Sequence, residues 1–269
     1  MTLPDAQLPK LREARGDRAQ LTGLAIGGGV IVTCLLAWWL LTDVTGTIAP
    51  LYFPSPSEVS SALGQVWQSL FSDGVATLVR VLVAWSAGSL IGVVVGLAMV
   101  RSKTLFFALT PIIEAVRPIP PVALIPFIIL WFGIGDSGKL FLGGLACFMV
   151  MVVNTIVSAG NVNPVFGRAA RSLGAKEGQV YRTVILPAIV PELVSGLRIG
   201  SALAFAVIVA AEFLGAEAGV GRLIMQASRT LNTPVVLIGT IVIALEAVAV
   251  DRLIKTVSGR VTRWSENAP

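Results

Sequence analysis

The sequence predicts an all-α integral membrane protein with six transmembrane helices, on three observations. The chain of 269 residues is 55% hydrophobic and 13% charged, with a mean hydropathy of +0.85, unlike a soluble domain. Several apolar runs reach the roughly 20 residues that a helix needs to cross the hydrocarbon core. The 20 Lys and Arg residues gather at the ends of these runs, where basic residues set membrane topology.

The composition also excludes several function classes. The chain has no histidine, and Cys34 and Cys147 each lie inside an apolar run, so a metal site or a disulfide framework lacks ligands. The pI near 9.7 reflects the basic ends of the spans, so we expect no nucleic-acid partner. A G-x-x-x-x-G-K match ends at Lys139, but Leu140 follows where a P-loop needs Ser or Thr. We therefore expect no cofactor in this chain.

The chain begins with a polar tail at residues 1–20 and an apolar run at 21–42, which we expect to form the first span. Residues 43–73 follow as an outer segment without Lys or Arg. Within it, the Ser-Pro-Ser-Glu stretch from Ser55 has the spacing of a helix start with a capping box. Apolar residues then recur at helical spacing, which predicts an amphipathic helix lying at the membrane interface.

Residues 74–252 are expected to hold the other five spans. The second span, at about 75–100, carries small residues at four-residue intervals from Ala84 to Gly96. This spacing lets helix backbones approach closely, so we expect this face to pack on another helix. Arg80 lies near the outer end, and we expect its side chain to reach the lipid headgroups.

Residues 104–135 are too long for one straight span and contain a cluster of prolines. Prolines bend or unwind a helix, and unwound backbone at membrane depth is tolerated only where it is buried or lines a wet cavity. Glu114 and Arg117 stand beside this break, either as a structural ion pair or with Arg117 lending positive potential to an anion pathway. The pathway candidates are Glu114, Arg117, Pro118, Pro120, Pro121 and Arg198.

Arg198 falls inside a later span, where an arginine must be paired or face water. It is expected either to pair with a carboxylate of a neighbouring helix, such as Glu246, or to line an inward cavity, and the residues leave both alternatives open. The remaining elements are predicted as a fourth span at about 140–157, a fifth after Pro187, a short outer helix within 214–233, and a sixth span at about 234–250.

Placing both termini in the cytoplasm gives a consistent topology. Fourteen of the 20 Lys and Arg residues then lie in cytoplasmic segments, three lie in outer segments, and three lie in or near spans. Such an asymmetry is the positive-inside pattern. It makes residues 253–269 a cytoplasmic tail and places the loop at 158–184 in the cytoplasm.

This loop is the main polar interruption of the chain and reads RAARSLGAKEGQVYRTVILP from Arg168 to Pro187. Apolar residues at helical spacing, Leu173 and Val180 among them, predict short helices. Gly174 is expected to form a left-handed turn between them, and Pro187 to close the loop. An ordinary basic loop with interfacial helices is the alternative.

The stretch resembles the signature loop of permease subunits of ATP-binding cassette (ABC) importers, with a small-residue pair, a glycine four residues later and a closing Leu-Pro. Arg168 stands where that family commonly has Glu. The resemblance implies a type I importer architecture and a coupling helix that docks on a partner ATPase. Its docking residues would be Arg168, Ala169, Ala170, Arg171, Gly174, Ala175, Lys176 and Glu177.

The stretch EAVRPIPPVALIPFIILWFGIGDSGKLFL, which begins at Glu114, is similar to that of permeases for taurine, sulfonates and nitrate, and most similar to the taurine permeases. The resemblance implies a non-catalytic subunit of the bacterial inner membrane that carries taurine or an aliphatic sulfonate by alternating access. It also implies a homodimer with two cytoplasmic ATPases, which bind ATP and Mg, and a periplasmic or lipid-anchored binding protein. Nitrate, bicarbonate, an aromatic acid or a thiamine precursor are alternative substrates, and an ion-coupled secondary transporter is the alternative class.

Overall fold

The computed structural model describes residues 25–261, and every regular element in that part of the chain is helical. The predicted tail at 1–20, the start of the first span and the end of the tail at 253–269 lie outside the described residues. The helices are α1 (Ala25–Val44), α2 (Pro56–Arg101), α3 (Lys103–Val116), α4 (Ile125–Phe132), α5 (Asp136–Asn161), α6 (Pro164–Ser172), α7 (Glu177–Leu214), α8 (Val220–Arg229) and α9 (Thr233–Val261).

Within the described chain, α1, α2, α5, α7 and α9 are each long and apolar enough to cross a membrane. The segments around α3 and α4 pass the same criterion together and are bent by 81° at the break between them, and taken as one broken span they give a sixth. Pro118 and Pro120 stand in this break, where their rings and missing N–H donors prevent the helix from continuing. The six predicted spans and the proline break are therefore confirmed.

The predicted interfacial helix and the second span are one continuous helix, α2, of 46 residues. Its start has the predicted capping box, since the Glu58 N–H donates to the Ser55 hydroxyl (3.3 Å) and the Ser55 N–H donates to the Glu58 carboxylate (2.9 Å). At about 1.5 Å per residue it is about 69 Å long, so its outer half extends beyond the hydrocarbon core. Leu70 in that half packs on α8 and α9. The structure thus differs from the prediction of a separate interfacial helix. No proline follows Pro56 before the end of α2, so the helix continues without a break.

The small-residue face of α2 packs on α5, as its spacing predicts. A Cβ on Gly88 would overlap the backbone of Gly144, and a Cβ on Gly96 would lie 2.7 Å from the Cβ of Thr155. Only glycine permits this approach. Helix α7 packs beside the pair, and Cys147 is buried where α2, α5 and α7 meet.

The prediction that Pro187 closes the cytoplasmic loop is wrong. Helix α7 runs without a break from Glu177 to Leu214, and a π-helical turn at Tyr181–Ile185 comes just before the proline. The wider turn shifts the backbone hydrogen-bond register just before Pro187, which lacks an N–H donor. The helix therefore continues past the proline. The predicted short helix within 214–233 is confirmed as α8.

Candidate functional site

The two ends of the helical bundle carry different polar features: α6 and its turn lie at one end, and a buried ion network lies at the other. Helix α6 connects the end of α5 to the start of α7, so it lies at the end of the bundle opposite Asp136 and Leu214. The Tyr181 hydroxyl donates to the Leu97 carbonyl (2.9 Å). This bond joins the first turns of α7 to the last turns of α2. The end of the loop that carries α6 is therefore attached to the bundle.

Helix α6 ends in a Schellman motif around Gly174. The Ala175 N–H donates to the Ala170 carbonyl (3.0 Å), and the Gly174 N–H donates to the Arg171 carbonyl (2.9 Å), which are the two bonds of that motif. Gly174 has a φ of +87° and open space around it. Backbone conformation, rather than crowding, therefore requires glycine here, and the predicted left-handed turn is confirmed.

An ion pair spans this turn. The Arg171 guanidinium donates from Nε to Oε1 of Glu177 (2.6 Å) and from Nη2 to Oε2 (3.2 Å). These hydrogen bonds raise the pKa of the Arg171 guanidinium above its ordinary value. Because both side chains are exposed, the pair shapes the turn and contributes little to the stability of the fold.

All eight predicted docking residues lie in one continuous segment, formed by the end of α6, the turn and the first residue of α7. Ala170 and Ala175 are half-buried and the other six are exposed. Helical spacing groups Leu173 with Val180, yet Val180 is buried and Leu173 is 90% exposed, because the turn ends α6 between them. Leu173, with the exposed Phe166, adds exposed apolar area to this segment that the motif does not name.

The break between α3 and α4 borders a cavity of about 430 Å³ against α5 and α7. Its walls are apolar except for Arg117 and Asn154. Pro121 lines the cavity, while Pro118 and Pro120 lie in the break itself. The broken segment, with Pro121 as its one proline at the cavity, therefore forms one wall of this space.

No ion pair among residues 25–261 joins Glu114 to Arg117, so the predicted structural pair is wrong. Arg117 keeps helical backbone geometry as the C-cap of α3, so the two residues stay at helical spacing although their side chains do not pair. Both instead border a second cavity, of about 170 Å³. Among the described residues, the exposed Arg117 guanidinium has no hydrogen-bond partner.

Arg198 pairs with Asp251 of α9, from Nε to Oδ1 (2.6 Å) and from Nη2 to Oδ2 (2.9 Å). The expected alternative partner, Glu246, lies on the same helix but faces Gly74 of α2. The partner of Arg198 therefore lies on the expected neighbouring helix, α9, but it is Asp251 rather than Glu246. Asp251 adjoins the basic C-terminal tail, so its sequence context does not mark it as an intramembrane partner.

A buried ion network lies at the end of the bundle opposite α6. Arg80 donates to Asp136 (2.8 Å) and to Glu212 (2.8 Å), and Glu212 also accepts from the Thr77 hydroxyl (2.9 Å) and the Gly221 N–H (2.9 Å). Glu212 is 1% exposed and Arg80 is buried. The prediction that Arg80 reaches the headgroups is therefore wrong. Its carboxylate partners are 56 and 132 residues away in sequence, beyond any local pattern.

Several known proteins are similar to this chain in sequence or in fold. Residues 88–263 match the family described as the binding-protein-dependent transport system inner membrane component. The chain is 37% identical to the taurine transport system permease protein TauC of Escherichia coli, over 88% of each chain. It is 31% identical to the aliphatic sulfonates transport permease protein SsuC of E. coli, over 86% of this chain and 89% of that one. An inward-facing structure of the MetNI methionine ABC transporter has the same fold, with a TM-score of 0.57 at 21% identity, covering 72% of this chain and 98% of that chain.

Proposed function

Since this chain belongs to the family of binding-protein-dependent transport system inner membrane components, we propose that it forms the pathway by which taurine or a related aliphatic sulfonate crosses the membrane. It is an ABC importer permease of the taurine, sulfonate and nitrate group, with several spans in the inner membrane. The observation that carries the proposal is the unpartnered Arg117 at the apolar cavity beside the broken third span.

Arg117 supplies the charge that an anion needs at membrane depth. A guanidinium binds planar or tetrahedral oxyanions through several parallel N–H donors, and the apolar walls of the cavity strengthen that attraction by excluding water. Taurine carries an ammonium group as well as a sulfonate. Glu114 borders the adjoining cavity with Arg117, and its carboxylate suits that ammonium group. Simple anions such as nitrate offer nothing for Glu114 to bind.

The surface on α6 is the proposed contact with the ATPase. Its exposed leucine and phenylalanine supply apolar area, while Arg168, Arg171 and Lys176 supply charge around a turn of fixed shape. Two permease copies, each with one ATPase subunit, complete the proposed assembly, and ATP and Mg bind to the ATPases. A binding protein delivers substrate to the end of the bundle that holds the buried ion network, and both termini lie in the cytoplasm.

Transport then follows from differential binding. ATP-driven closure of the ATPases draws the two α6 surfaces together, and the permease moves only because the closed ATPase pair binds its outward-facing state more tightly than its inward-facing state. The residues of this chain therefore hold the substrate transiently and transmit the closure. They take no part in breaking the phosphate bond.

The test is ATP hydrolysis by the reconstituted complex of permease, ATPase and binding protein, with taurine, an alkanesulfonate or nitrate as ligand. We expect activation by taurine, and we expect Arg117→Gln to lower ATP-driven taurine uptake at least tenfold. Glu114→Gln should reduce uptake of taurine but not of an alkanesulfonate, which lacks the ammonium group. Equal losses for both substrates would contradict the role of Glu114, and activation by nitrate alone would discard the sulfonate assignment.

A further inference from the structure

A cavity of about 370 Å³ lies at the base of α6, apart from the cavities beside the broken third span. The end of α5, one face of α6 and the first turns of α7 form its walls. Its volume falls within the range of roughly 300–1,000 Å³ that is usual for ligand pockets. Most of the lining side chains are small or apolar, and the charged ones are Arg168 and Arg171. The cavity therefore combines apolar walls with two positive charges.

The residues that α6 contributes to the cavity lie on one helical face. They are Pro164, Gly167, Arg168 and Arg171, at the i, i+3, i+4 and i+7 positions that share a face. Phe166 and Leu173 are seven residues apart on the nearly opposite face, and both are exposed. The apolar contact proposed for the ATPase uses this opposite face. The cavity therefore remains available when the ATPase is bound.

Both arginines have N–H donors to offer an anion in the cavity. Arg171 uses Nε and Nη2 for its pair with Glu177, which leaves Nη1. A Cβ on Gly167 would lie 3.5 Å from that Nη1 and 3.7 Å from Cγ1 of Val180, so Nη1 stands beside the space that the missing side chain leaves. Within the described part of the chain, the Arg168 guanidinium has no hydrogen-bond or ion-pair partner.

The length of α5 places the cavity at the depth of the lipid headgroups. Lys139 contacts Asp136 of the ion network (3.5 Å) and is the last charged residue of α5. Gly160, which lines the cavity, comes 21 residues later, which is about 32 Å at 1.5 Å per residue. The hydrocarbon core is about 30 Å thick. The cavity thus lies where the acyl chains end and the headgroups begin.

The surroundings of the cavity carry an excess of positive charge. Residues 101–103 and 159–185 together hold six Lys and Arg residues and one carboxylate, that of Glu177. The hydrogen bond from Tyr181 to the Leu97 carbonyl holds the two segments side by side. Basic pockets between transmembrane helices at this depth bind the headgroups of anionic lipids.

We propose that this cavity binds the headgroup of one anionic phospholipid. The guanidinium groups of Arg168 and Arg171 donate to its phosphate oxygens, and its acyl chains leave along the apolar walls. The inference goes beyond the proposed function and depends on it only for the leaflet, which is the cytoplasmic one. A lipid in this position contacts α5, α6 and α7 at once, so it supports α6 from the side opposite the ATPase.

The experiment is native mass spectrometry of the detergent-released complex of permease and ATPase, titrated with phosphatidylglycerol or with the zwitterionic phosphatidylethanolamine. We expect one tightly bound phosphatidylglycerol per permease chain and at least tenfold weaker binding of phosphatidylethanolamine. Arg168→Gln removes a charge and Gly167→Leu fills the cavity, and each should raise the Kd for phosphatidylglycerol at least fivefold. The matched controls are Arg182→Gln, an exposed cation outside the cavity, and Gly178→Leu, in open space. Both should bind as the parent does.

Four results would overturn the proposal. Equal losses in Arg168→Gln and Arg182→Gln would show attraction to the basic surface as a whole. Displacement of the lipid by excess inorganic phosphate would show a site for a free anion. Binding to the isolated permease that is lost when the ATPase is added would show that the ATPase fills the cavity. Unchanged binding in Arg168→Gln would exclude the cavity, and this variant decides even where Gly167→Leu does not fold, because it alters an exposed side chain.

Discussion

Replacing Leu173 by serine should weaken the binding of the ATPase to the permease while leaving the permease folded. The side chain is 90% exposed in the free chain, so docking can bury nearly all of it. Burial of a leucine side chain contributes about 1.5–3 kcal/mol, and 1.4 kcal/mol is a factor of ten in Kd. We therefore expect Leu173→Ser to raise the Kd for the ATPase roughly 10- to 150-fold. An exposed substitution of this kind should change the free energy of unfolding by no more than about 0.5 kcal/mol.

The assay is a titration of nucleotide-free ATPase subunit onto immobilised, detergent-solubilised permease, read by surface plasmon resonance. The matched control is Leu231→Ser, since Leu231 is 68% exposed in the turn between α8 and α9, at the other end of the bundle. The control should bind the ATPase as the parent does. A Kd for Leu173→Ser within twofold of the parent, or an equal loss in the control, would refute docking through the turn after α6.

Further substitutions test other parts of the structure. Glu212→Ala leaves the buried arginine of the ion network without its main partner and should lower the free energy of unfolding by about 3–5 kcal/mol, and an unchanged Tm in detergent would contradict the network. Gly88→Leu should abolish the monodisperse peak in size-exclusion chromatography because α5 occupies that space, while Gly64→Leu, in open space, should preserve it. Gly174→Ala should cost about 1–2 kcal/mol in the left-handed turn and reduce the activation of ATP hydrolysis by substrate. Gly178→Ala, in an ordinary helical position with open space, should leave that activation intact.

Local sequence patterns predicted the features that depend on a few neighbouring residues. The Ser55 capping box, the left-handed Gly174 and the proline break before Pro121 each follow from backbone hydrogen bonding or allowed dihedral angles within a turn or two. The number of spans followed in the same way from the length of each apolar run. Such features depend on interactions within a few residues and not on contacts with distant segments.

Features that depend on distant segments were predicted poorly. Arg80 has the same local context as a snorkelling arginine, and only the packing of α2 on α5 and α7 brings its carboxylate partners within reach. Asp251 resembles the start of a polar tail until α9 is placed beside α7. In each case the side chain takes its role from tertiary packing.

We propose that this chain carries a sulfonate across the membrane at the expense of ATP. The most direct measurement is uptake of radiolabelled taurine into proteoliposomes that contain the permease, its ATPase and its binding protein, with ATP on the cytoplasmic side of the permease. We predict uptake that requires ATP and binding protein, is inhibited by unlabelled taurine and not by nitrate, and falls at least tenfold in Arg117→Gln. Uptake that continues without ATP and follows an imposed ion gradient would contradict the claim.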